Sequence, residues 1–190
     1  MISTSAAVDA WGGSVSLGPM TSTIKAVTTI IPGAAPPTQN GSWPDNFWCG
    51  AMKGQWCVRA SLFGSFGQLS GDASAVSGTQ KVKIDYELLS NNNTWRQTVT
   101  HADTDAKLSS FEHKSGSFMR GYGTGTECNA NYSPTVSAHK YIDTVITLTG
   151  PDTGFGKTIA TAQKATYSSL SSSQSGKIRT INAINVPAMK

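Results

Sequence analysis

Charge is scarce in this chain. Asp, Glu, Lys and Arg make up 14% of its 190 residues, and no three basic residues follow one another. A nucleic-acid binder gathers its Lys and Arg into a patch. Here they are scattered, so the net charge of +4 reads as a mildly basic surface, and nucleic acid is not the expected partner. Stretches rich in Glu, Lys and Leu are missing, which excludes a helical bundle. No apolar run approaches the roughly 18 residues of a membrane-spanning helix, so a membrane is not an expected partner either. Cysteine is low and odd, at three, which argues against a disulfide framework. Cys49 and Cys57 can face each other across a hairpin and pair, leaving Cys128 single. His101, His113 and His139 have no C-x-x-C nearby, so zinc spacing is absent and neither metal nor cofactor is expected. The start, MISTSAAVDAWGG, lacks the basic and apolar parts of a secretory leader. The expected location is cytoplasmic, or secreted if a leader has been removed. In the second case the sequons at Asn40 and Asn92 matter.

What the chain does contain is Gly, Ser, Thr and β-branched residues in short runs. Lys81–Leu88 reads K-V-K-I-D-Y-E-L, placing Val82, Ile84, Tyr86 and Leu88 on one side of an extended strand. Lys81, Lys83, Asp85 and Glu87 fall on the other side, so one face is dry and one wet. Similar patterns predict strands at 14–17, 21–31, 47–51, 55–64, 94–101, 108–113, 118–128, 140–149 and 177–186. Pro-rich residues 32–37 end the second of these, because proline cannot donate to a ladder. Segment 55–64 carries bulk on both faces and is expected to be a central strand, followed by a Gly/Ser-rich loop over 64–79. Segment 158–168 is open between strand and short helix. About ten strands with regular turn signals predict an all-β fold, an antiparallel two-sheet β-sandwich or jelly roll, as one domain over 1–190 with a loose leader at 1–10.

Several motifs carry possible chemistry. T-G-P-D-T-G-F-G-K-T (149–158) approaches a phosphate loop, but the required first glycine position is Pro151. Asp85 and Glu87 sit two apart on one strand face, about 7 Å between side-chain origins, a separation open to glycosidases. The neighbouring Lys81 and Lys83 make a solvated face the better reading. Cys128 beside Glu127 reads as a buried thiol before a nucleophile. Trp43, Trp48 and Trp56 cluster around Phe47, and an indole face packs sugar rings and apolar ligands. In 118–128, Gly121, Gly123 and Gly125 strip one face of a strand, so another backbone or a ligand can come close. Arg120, Tyr122, Thr124 and Thr126 take the other face.

The order of segments carries a resemblance. W-G-G-S-V-S, then a Thr-rich strand ending in proline, W-C-G, Q-K-V-K-I-D-Y-E-L, T-W-R-Q-T-V-T and G-T-E-C together resemble the concanavalin-like β-sandwich of fungal glutamic peptidases (eqolisins). That resemblance implies their fold. Those peptidases use a Gln and a Glu on facing strands of a concave sheet. Here the Gln-bearing strand has no counterpart, and alignment of F-M-R-G-Y-G-T-G-T-E-C puts Tyr122 at the Glu position, with Glu127 further along. The scaffold carries over and the peptidase chemistry does not.

The leading expectation is therefore lectin-like binding of a carbohydrate or small ligand in a concave groove, drawing on Trp48, Trp56, Arg59, Arg120, Tyr122 and Thr124. The alternative is a cofactor-free enzyme in the same groove, a glycan hydrolase or lyase or a tailoring enzyme for a small apolar metabolite. Tyr122 or Glu127 would then be acid/base, with Arg120 or Arg59 meeting negative charge. A self-assembling surface protein is a third reading, and the oligomeric state is open.

Overall fold

The computed structural model describes residues 10–19, 23–35, 55–117, 119–128 and 136–189. Trp43, Phe47, Trp48, Cys49, Asn40, the expected strand at 47–51 and most of the expected leader lie outside the described residues. The described chain is all-β, with two short 3₁₀ turns at Phe155–Thr158 and Gln174–Gly176.

In chain order the strands are β1 (Ala10–Leu17), β2 (Thr23–Ile31), β3 (Trp56–Val58), β4 (Ser61–Gly64) and β5 (Gly67–Ser70). There follow β6 (Ser74–Val76), β7 (Val82–Leu88), β8 (Thr94–His101), β9 (Lys107–Lys114) and β10 (Tyr122–Cys128). The last are β11 (His139–Leu148), β12 (Ala160–Ala162), β13 (Thr166–Tyr167), β14 (Leu170–Ser173) and β15 (Ile178–Val186). One large antiparallel sheet runs β13-β15-β11-β2-β7-β8-β9, with β14 also on β15. A second layer is built of three pieces: the sheet β10-β1-β12 and the two-stranded pairs β3-β6 and β4-β5.

Two apolar clusters join the layers. Under β1, Val15 and Leu17 pack with Ile146 and Leu148 of β11, Ile181, Ile184 and Val186 of β15, and Phe155. Under the small pairs, Ala60 and Val76 pack on Val82 and Val99, with Trp56, Val58, Ile84 and Phe111 around them. The dry side of Lys81–Leu88 thus meets the core as expected. Its wet side forms a charge-alternating row across four strands, in the register Lys25–Glu87–Arg96–Glu112.

Segment 55–64 is not a central strand. It breaks at Arg59–Ala60, where Ala60 N donates to Ser109 Oγ at 3.0 Å rather than to a ladder. Its second half pairs with β5, and the supposed loop at 64–79 supplies both β5 and β6. Phe63 stays 63% exposed, so bulk on both faces marked a surface hairpin. Gln97 anchors that hairpin: its amide accepts from Ser61 N at 3.0 Å and donates to Ser61 O at 2.8 Å. The open segment 158–168 resolves as the end of the first 3₁₀ turn, then β12 and β13. In the phosphate-loop look-alike, Asp152 Oδ1 accepts from Gly154 N and Phe155 N, so a carboxylate already occupies those backbone donors.

Candidate functional site

The outer face of the β10-β1-β12 sheet is nearly free of side chains. Its shape starts with Gly12 and Gly13, which lie at a register shift between Trp11 and Ser14. A Cβ on Gly12 would meet Thr126 and Met189, and one on Gly13 would meet Pro187 and Val186, so both positions point inward. Two successive inward residues make a bulge. Trp11 therefore looks outward together with Ser14 and Ser16, while Val15 and Leu17 look inward.

Ser14 sits between Gly125 and Ala162, and Ser16 between Gly123 and Ala160. Six small residues thus form two rows over three strands, about 10 Å across and about 7 Å along. A Cβ on Gly123 would meet nothing nearer than the Ser16 Cβ at 3.9 Å. At one end stands Trp11, 63% exposed, opposite Glu127 in register. An exposed indole beside a flat floor offers a ring-stacking surface, with two serine hydroxyls for polar contacts.

The inner face of β10 is different. Tyr122 and Thr124 point into the sandwich, and Thr124 Oγ1 donates to Val15 O at 3.4 Å. Burial pushes the Tyr122 phenol above its usual pKa, and the nearby Thr28 and Thr144 hydroxyls pull it part of the way back. Those two hydroxyls bond each other at 2.7 Å. No partner of acceptable geometry reaches the enclosed Tyr122 Oη, so proximity here is not a hydrogen bond. Burial, and then Tyr122, push Tyr86 up to about 12. Tyr141 is raised as well, by burial and then by its two tyrosine neighbours. His139 lies edge-on to Tyr141 with ring centroids 5.8 Å apart. Its Nδ1 is 3.2 Å from Ser137 O and its Nε2 is 3.4 Å from Thr126 Oγ1. Burial lowers its pKa, partly offset by the Ser137 carbonyl. With the phenols held protonated and both His139 ring nitrogens engaged, this reads as a packing cluster.

The remaining sequence-derived residues fall in other places. Trp56 donates from Nε1 to Gly33 O at 2.9 Å and packs in the second apolar cluster. Arg59 donates to Ser70 Oγ at 3.0 Å. Arg120 is exposed just ahead of β10. Tyr122 and Thr124 come together; Trp56 and Arg59 sit on the β3–β4 side, and Trp48 lies outside the described residues. Trp11 was missed as a site residue. Regular alternation from Val15 and Leu17 puts it on the dry side, and only the paired glycines signal the reversal.

The architecture is a concanavalin-like β-sandwich. No protein-family model and no curated protein sequence matches the chain. Among solved structures it is similar to scytalido-glutamic peptidase with a peptide-based transition state analog, at 14% identity and TM-score 0.52, covering 97% of this chain and 100% of that one. A second structure of that peptidase, with a transition state analog inhibitor, gives 12% identity and TM-score 0.50 over the same shares. At such identities the likeness defines the fold, in agreement with the resemblance read from the segments.

Proposed function

We propose that this protein is a lectin-like binding module that takes a carbohydrate on the outer face of the β10-β1-β12 sheet. The observation that carries this reading is Trp11, a largely exposed indole at the end of a floor of Gly, Ser and Ala. Sugar rings have one apolar face, which stacks on indole, and a flat backbone floor lets them approach closely. Covering about 80 Å² of the indole would contribute roughly 2 kcal/mol. Cys57 is disulfide-bonded. That bond and the sequon at exposed Asn92 favour an extracellular setting, where polysaccharides are met.

Affinity electrophoresis or calorimetry against a polysaccharide panel tests the proposal with Trp11→Ala and Gly123→Leu. Both variants should lose at least about tenfold in affinity. Gly123→Leu should fold normally, because its Cβ makes only an ordinary van der Waals contact with the Ser16 Cβ. Wild-type affinity in both variants, or no binding to any polysaccharide, would refute the reading.

A further inference from the structure

The outer face of the eight-stranded sheet carries a second feature. Lys83, Asp85, Glu87, Arg96, Thr98, Thr100 and Asp105 line a depression of about 170 Å³. At about 30 Å³ per water, that holds roughly five waters or one small substituted ring. Lys25 Nζ is shared, 3.2 Å from Asp85 Oδ2 and 3.5 Å from Glu87 Oε1. Burial works against the Lys25 charge, but Asp85 and Glu87 more than offset it and hold its pKa above the usual value.

Arg96 lies opposite Glu87 in register, yet its Nε donates to Glu112 at 2.7 Å. Lys83 is engaged 3.5 Å from Asp105. With their ion-pair partners, the lining groups comprise three cations and four carboxylates, an excess of one negative charge. It falls on the Asp85–Glu87 pair, which has one ammonium between two carboxylates. Asp85 Oδ1 is enclosed and has no donor.

We propose that this depression binds a small hydroxylated monoamine, of the amino-sugar type. A single positive charge with N–H donors matches the excess at Asp85 and Glu87. The Thr98 and Thr100 hydroxyls, on the same face beside them, suit the ligand's hydroxyls. A divalent metal is the poorer occupant: among the described residues no three His, Cys, Asp or Glu side chains gather closely enough to hold one. An acidic ligand meets no unengaged cation among the lining residues. The site lies on the sheet opposite Trp11 and does not depend on the function proposed above.

The test is calorimetry at low salt and mildly acidic pH with glucosamine, its N-acetylated counterpart and a uronic acid, each as the monosaccharide. The free amine should bind at least about fivefold more tightly than the acetylated form, the scale of an exposed ion pair. Asp85→Asn should abolish that preference, and Trp11→Ala should leave it intact. Equal affinity for the amine and acetylated sugars, preference for the uronic acid, or an unchanged preference in Asp85→Asn would each overturn the proposal. A preference lost in Trp11→Ala but kept in Asp85→Asn would assign the amine to the other sheet and overturn it equally.

Discussion

Replacing Tyr122 with Phe should make the protein more stable. The substitution keeps the ring that packs against the first apolar cluster and removes a hydroxyl that is enclosed without a partner. An unsatisfied buried hydroxyl costs about 1–3 kcal/mol. The aligned part of the local field is spent on the Thr28–Thr144 bond, and the loose attraction of those two hydroxyls for Tyr122 returns a fraction of that cost. A net gain of about 1 kcal/mol follows. In a chain of this length it raises Tm by about 2–4 °C. With a urea m-value of about 2 kcal/mol/M, the midpoint rises by about 0.5 M at unchanged slope. Urea titration followed by tryptophan fluorescence measures both. Tyr122→Ala removes the ring as well and should cost about 3–5 kcal/mol, the range for deleting a buried aromatic ring. A lowered midpoint for Tyr122→Phe would refute the reasoning, because it would mean that Oη makes a bond that stabilises the fold.

Two further outcomes are expected. His139 has a folded pKa below its unfolded value because burial disfavours the charged ring. The unfolded chain therefore takes up its proton first as pH falls. Stability from this residue is complete above about pH 6.5 and declines as pH drops toward the folded pKa. His139→Gln should flatten that part of the pH–stability curve, and an unchanged slope would show the imidazole to be uninvolved. Gln97→Leu removes both partners of the Ser61 backbone, at a cost of about 1–3 kcal/mol. Amide hydrogen exchange should then accelerate across 61–70 and not across β7; uniform acceleration would contradict a local anchor.

Much of the fold was legible because strand alternation is local. Val82, Ile84, Tyr86 and Leu88 announce a half-buried strand whatever lies next to it, and the succession of segments pointed to the concanavalin-like scaffold. Pairing is non-local, and there the sequence is weaker. Nothing in 64–79 announces β5 and β6, since their partners lie in β3 and β4 and their strength comes from Gln97 and Ser109 side chains. The faces of β10 were separable, glycine from Tyr122, but alternation does not say which face is dry. Tyr122 turned inward because the space over Thr28 and Thr144 admits its ring, while the glycines took the open side. Trp11 was hidden for a related reason: its orientation depends on a bulge that a period-two reading steps over.

That bulge makes the indole's direction a matter of parity. Ahead of the two glycines the odd positions of β1 look to solvent; behind them the even positions do. Deleting one glycine would leave a single inward residue opposite Thr126 and Trp11 still opposite Glu127, looking outward; straightening the bulge with both glycines kept would swing Trp11 into the interior. The displayed aromatic surface thus tolerates loss of the extra residue but not loss of the kink that accommodates it.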